Sequence, residues 1–157
     1  MLLSEQLIAA AFQTQKYFVV QGFKVGVREA DILAIRKEDD KFKFFHIECQ
    51  VSISPSGVLR SKATYGKSAA RPAKSAIEYY KKKFRQPKLV KAVSKFFGTK
   101  KYERVFVYGK LKNPKQLKQL EKQRVKCISI RDLVSAARKS AIKIEEFEKI
   151  VGLVNII

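Results

Sequence analysis

Two carboxylates stand where this sequence is otherwise apolar. Asp31 lies in Ala30-Asp31-Ile32-Leu33-Ala34-Ile35, and Glu48 lies in Phe45-His46-Ile47-Glu48-Cys49-Gln50-Val51. Ionised carboxylates are costly to bury unless they hold a cation or meet a basic partner. Strand alternation sets His46, Glu48 and Gln50 on one face and Ile47, Cys49 and Val51 on the other. If the strands carrying Asp31 and Glu48 pair across a short turn, the two acids become neighbours. Such a pair suits Mg²⁺ or Mn²⁺, which prefer oxygen ligands and keep several waters. A metal held there could activate water and neutralise charge building on a phosphodiester. The alternative is a structural ion pair between Glu48 and a Lys.

The charge balance points to a polyanionic partner. Lys and Arg number 34 against 14 Asp and Glu, giving +20 at pH 7. That exceeds the magnitude of about 2–8 that solubility asks of a small domain, and it favours salt-sensitive attraction to phosphate backbones. The excess is uneven. Between Cys49 and Tyr102 fourteen basic residues face one acid, Glu78. Within that stretch Arg60, Lys62, Lys67, Arg71 and Lys74 directly follow the Glu48 strand and are the expected nucleic-acid contacts. Lys62, Lys67 or Lys74 could also bring a positive charge to the acids. Lys81-Lys82-Lys83 reads as a solvated face, suited to tracking DNA.

These residues must be positioned by an alternating set of elements. The chain of 157 residues with 46% hydrophobic content fits one domain with an ordinary core. Ser4 to Gln15 reads as a helix with Leu7, Ile8, Ala11 and Phe12 on one face. Gly22 marks either the end of the first helix or a turn, after which a strand is expected at Lys24 to Val27, a second at Asp31 to Arg36 and a third at Phe42 to Val51, the last two joined by the Glu38-Asp39-Asp40-Lys41 turn. Ser52 to Tyr65 reads as a loop, and Pro72 opens a helix that runs to about Phe84. A helix after Pro87, stopped by Gly98, leads to a strand at Arg104 to Tyr108. A helix from Pro114, a strand at Val125 to Ile130, and helices at Arg131 to Lys139 and Glu145 to Val154 complete the order. Strands alternating with helices argue for an α/β layered domain with a mixed sheet.

The cysteines, Cys49 and Cys127, show neither zinc spacing nor a disulfide framework and read as buried free thiols. Met1 to Ala11 is apolar, but Glu5 interrupts it and no basic segment precedes it. The expectation is a cytoplasmic protein without a membrane span. Tyr79 and Tyr80 read as core or interface aromatics. The apolar run from Ile150 to Ile157 is either a last core helix or a dimer surface.

Glu5, Gly22-Phe23-Lys24-Val25, Asp31-Ile32-Leu33-Ala34 and Ile47-Glu48-Cys49-Gln50-Val51 together resemble the PD-(D/E)XK nuclease superfamily. The likeness is greatest to archaeal Holliday-junction resolvases and covers about Leu3 to Ser52 by motif. It implies a single restriction-endonuclease-like domain over residues 1–157, with a mixed central sheet flanked by helices. It further implies a homodimeric, Mg²⁺- or Mn²⁺-dependent endonuclease acting on DNA, with branched DNA among the candidate substrates, while the charge by itself leaves RNA open as a partner. Asp31 and Glu48 would be metal ligands and Glu5 an auxiliary acid. Gln50 occupies the position usually held by Lys, and Ala30 replaces a Pro. Gln can hydrogen-bond the attacking water but brings no charge, although some restriction enzymes of the superfamily also have Gln there. The competing expectations are a non-catalytic nucleic-acid-binding protein on the same fold and an unrelated basic RNA-binding α/β protein.

Overall fold

The computed structural model describes residues 3–51, 75–111, 113–140 and 145–154. The elements follow in the order α1 (Leu3–Thr14), β1 (Phe18–Val25), β2 (Arg28–Glu38), β3 (Lys41–Gln50), α2 (Ala76–Phe84), α3 (Pro87–Phe97), β4 (Glu103–Tyr108), α4 (Lys115–Lys122), β5 (Val125–Ser129), α5 (Ile130–Lys139) and α6 (Glu145–Val154). The five strands form one mixed sheet in the order β1-β2-β3-β4-β5. β1, β2 and β3 are antiparallel neighbours, whereas β3, β4 and β5 run parallel. The parallel steps need crossovers. Helices α2 and α3 lie between β3 and β4, and α4 lies between β4 and β5.

Each face of the sheet carries a helical layer. Ile32, Ala34, Ile47, Val105 and Val107 pack against α1, α5 and α6. Leu33 packs with α3, and Phe106 and Val125 pack with α2 and α4. Helix α1 is buried from Leu7 through Phe12, more than one helical face, because α5 and α6 cover the side turned away from the sheet. Phe147 and Val151 of α6 belong to this core. The apolar C-terminal run therefore serves the core at Val151, while residues 155–157 lie outside the described part.

Local chemistry sets the element ends, with three departures from the sequence expectations. β1 begins at Phe18, ahead of Lys24, because Gly22 is accommodated within the strand at φ 63°. The chain turns instead at Gly26, also at φ 63°. Helix α2 begins after Ser75, later than Pro72. Ser75 has extended backbone, and its hydroxyl accepts a hydrogen bond from the Glu78 amide, which defines an N-cap. The cysteines form no disulfide, as expected, but are only half-buried. Pro87 opens α3 and Gly98 ends it in the left-handed region at φ 69°, as the sequence indicates. The Ser52–Tyr65 loop and the five early basic residues Arg60, Lys62, Lys67, Arg71 and Lys74 lie outside the described residues. Among the described residues no helix is long and apolar enough to cross a membrane.

Gly98 has open space around a would-be Cβ, so its requirement is conformational. Gly98→Ala should cost about 1 kcal/mol by forcing a side chain into the left-handed region. The expected result is a lower urea midpoint with an unchanged m value.

Candidate functional site

The acid pair forms where one ladder of the sheet stops. β2 and β3 pair from Glu38 opposite Lys41 as far as Ile32 opposite Ile47. The next step in that register sets Asp31 against Glu48. There the Asp31 side chain replaces the ladder: its Oδ2 accepts a hydrogen bond of 2.8 Å from the Cys49 amide. β2 continues along β1 to the pair Val25 and Arg28, and β3 continues along β4 to the pair Gln50 and Tyr108. On the β1 side, Gly22 falls opposite Asp31 in register, with its neighbours paired as Gln21 to Ile32 and Phe23 to Ala30. A Cβ at Gly22 would approach Glu29 Oε1 to 3.3 Å and would also meet the positive φ, so the backbone beside Asp31 favours glycine.

Both carboxylates are interior, with Asp31 2% exposed and Glu48 0%. Lys83 of α2 answers them. Its Nζ lies 2.8 Å from Glu48 Oε2 and 3.8 Å from Asp31 Oδ1, on a side chain only 11% exposed. The helix delivers this ammonium because its inner face carries apolar anchors. Ala76, Tyr79 and Phe84 are buried, and Tyr79 packs edge-on against Phe106 with ring centroids 5.4 Å apart. Positions 76, 79, 80, 83 and 84 share one helical stripe, so Lys83 occupies a core-facing place in it. Lys82, by contrast, pairs with Glu78 at 3.0 Å on the outer side.

His46 completes the cluster. Its Nε2 lies 2.7 Å from Glu48 Oε1, and its ring packs on Phe84 at 4.9 Å between centroids. Burial lowers its pKa to about 3, against the pull of Asp31 and with the push of Lys83 and Arg104. The neutral ring therefore carries its proton on Nε2 and donates it to Glu48. That assignment leaves Nδ1 as the bare nitrogen, and Nδ1 has no hydrogen-bond partner among the described residues. Burial raises the Glu48 carboxyl, with Lys83 and hydrogen bonds from Lys83 and Asp31 opposing it. The Tyr79 hydroxyl is pushed well above its ordinary value by burial first and then by the charges of Glu48 and Asp31. It remains a neutral group beside the acids, without a hydrogen-bond partner among the described residues.

The expected residues divide by placement. Asp31 and Glu48 come together, and His46 joins them from the same face of β3. Gln50 ends β3 two residues beyond Glu48, half-buried, and its carbonyl accepts from the Gly109 amide. Glu5 is buried in the first turn of α1, in the layer on the opposite face of the sheet. Lys83 is the member that sequence reading missed, since it ends a three-lysine run. Its place in the stripe with Ala76, Tyr79 and Phe84 is the signal that separates it from its neighbours.

Asp31 Oδ1 and Glu48 Oε2 converge on a place already held by a cationic group. Two carboxylates presenting oxygen alone fit a hard divalent ion that retains waters. Among the described residues no group of three or more His, Cys, Asp and Glu is arranged to hold a metal. Any ion here would therefore rest on the two acids.

Fold and site define a mixed α/β domain, a five-stranded sheet flanked by helices, with an acid–lysine cluster at its central strand. The chain is similar in fold to the crystal structure of AF1548, a protein of unknown function, with a TM-score of 0.54. The two share 15% sequence identity over 97% of this chain and 78% of that one, a likeness of fold alone. No family model and no curated protein matches the chain.

His46 gives a pH signature. Unfolded histidine titrates near pH 6.5 and the native ring near 3, so the unfolded state binds the extra proton between these values. Native stability is therefore lost as pH falls from about 6.5 toward 3, by up to about 1.4 kcal/mol per pH unit from this residue. His46→Gln keeps an N–H donor for Glu48 and cannot titrate. Urea unfolding at a series of pH values should show the variant losing that part of the slope.

Proposed function

We propose that this protein is a metal-dependent endonuclease that hydrolyses phosphodiester bonds in nucleic acid, with DNA as the expected substrate. The observation that carries the reading is the convergence of Asp31, Glu48 and Lys83 on one point of the central strand. It matches the resemblance to the PD-(D/E)XK superfamily and adds the positive charge that Gln50 does not bring.

In this reading each side chain has a defined task. The Cys49 amide fixes Asp31, and His46 fixes Glu48, so both carboxylates are oriented before substrate arrives. These two acids would hold Mg²⁺ or Mn²⁺. A bound ion of this kind supplies Lewis acidity, lowering the pKa of water and offsetting charge on the phosphodiester. Lys83 contributes a positive charge toward the developing phosphorane, as preorganised electrostatics do in low-dielectric sites. The Gln50 amide can hydrogen-bond the attacking water, whereas Glu5, held in the layer across the sheet, takes no task in this arrangement. The surrounding +20 charge draws in the phosphate backbone.

A second reading has its own support. Lys83 sits where a bound cation would bring its charge, so the cluster can equally be a structural ion pair on a non-catalytic nucleic-acid-binding domain. Cleavage assays separate the two. Labelled linear duplex and four-way-junction DNA are incubated with the protein in Mg²⁺ or Mn²⁺, beside Asp31→Asn and Glu48→Gln. The nuclease reading expects cleavage that falls at least about a hundredfold in either variant while DNA binding is retained. Wild-type binding without turnover, together with calorimetry that detects no divalent ion, would establish the non-catalytic protein instead.

A further inference from the structure

A groove of about 880 Å³ runs between α3, the end of α2 and the start of β4, apart from the acid pair. Arg85, Lys91, Lys95, Lys100 and Arg104 line it, and among the described residues none of its lining is acidic. Tyr102 forms part of the wall, with the Arg104 guanidinium 5.3 Å above its ring. Stacking of this kind holds a guanidinium in place. The His46 ring lies 6.4 Å from that of Tyr102, so His46 stands between the groove and the acids.

The spacing of the charges says what the groove suits. Lys91 and Lys95 are four residues apart on α3, one helical turn or about 5–6 Å. Both are exposed, and both line the same wall. Like charges at that spacing oppose helix formation, a cost that a bound anion would reverse. Cations recurring at about a helical turn suit a linear polyanion better than one small anion. Ser94 and Thr99 add hydroxyls that can donate to phosphate oxygens.

We propose that this groove is a second nucleic-acid site, one that grips a run of backbone phosphates away from the acid pair. The inference rests on the nucleic-acid reading for the identity of its ligand and is independent of cleavage. It would anchor a strand by backbone contact without reading its bases.

The test measures binding of labelled duplex DNA by anisotropy in EDTA, so that no cleavage intervenes, over a range of salt concentrations. The groove variant is Lys91→Glu with Lys95→Glu. The control is Lys118→Glu with Lys122→Glu on the exposed side of α4, which changes net charge equally. All four side chains are exposed, and circular dichroism confirms that both variants fold. The groove variant is expected to bind at least tenfold more weakly than the control. Its plot of log affinity against log salt should flatten by about 2, near 0.9 for each phosphate that the groove ceases to neutralise. Equal weakening in both variants overturns the groove and leaves a diffuse electrostatic partner. Loss of polyglutamate binding with duplex binding unchanged also overturns it, in favour of an acidic polypeptide. Wild type that binds no nucleic acid brings down the nucleic-acid reading itself. Glu48→Gln that binds normally yet cleaves like wild type removes the catalytic assignment and leaves the groove standing.

Discussion

Desolvation of two carboxylates is the constraint around which this domain is arranged. Taking a carboxylate from water to a protein interior costs several kcal/mol unless charge and hydrogen bonds answer it. Asp31 is answered by the Cys49 amide, at a point where the β2–β3 ladder has ended. Glu48 is answered by His46 on one oxygen and by Lys83 on the other. Each answer places a demand elsewhere. The open ladder needs β2 and β3 to be held by their outer neighbours β1 and β4. The ammonium needs α2 docked by Tyr79 and Phe84, and the crossover between parallel β3 and β4 brings that helix to the acidic face.

The two layers around the sheet divide the labour. The layer of α1, α5 and α6 is apolar in its packing and supplies the main core. The layer of α2, α3 and α4 is split into two smaller clusters with the acids, His46 and Lys83 near their junction. An apolar replacement of a buried ion cluster is often as stable or more so. Retaining charged groups on the central strand therefore suits a site that must hold a cation or a developing charge. Neutral His46 fits the same logic. Buried as a charged group, it would compete with Lys83 for Glu48. Held uncharged, it orients Glu48 and leaves the ion pair intact.

The basic surface is patterned, with consequences for how a polyanion would approach. α3 carries its cations on the outside while Leu89, Val93 and Phe97 pack inward. Between the groove it forms with β4 and the acids stand the packed rings of His46, Phe84 and Tyr102. Binding and chemistry would thus be housed in neighbouring compartments. That separation allows affinity to be set by phosphate contacts without altering the environment of the acid pair.

Much of the architecture was legible from local signals. The alternating strand and helix runs, the acidic turn at Asp39 and Asp40, Pro87 and Gly98 at the two ends of α3, and the shared face of His46 and Glu48 are all consequences of short-range sterics and periodicity. Those act between residues a few places apart, so they survive in the sequence. Gly22 misled because a positive φ within β1 looks like a strand break unless the partner strand is known. Pro72 misled because the capping hydroxyl of Ser75 sets the start of α2. Asp31 and Glu48 stood out by type, as acids in apolar strands. Their residue types alone dictated that they would need a cationic answer, because desolvating a pair of like charges is too costly otherwise. Which cation answers them is a matter of long-range packing. Lys83 is 35 residues beyond Glu48, and only the docking of Tyr79 and Phe84 turns it inward while Lys82 turns out.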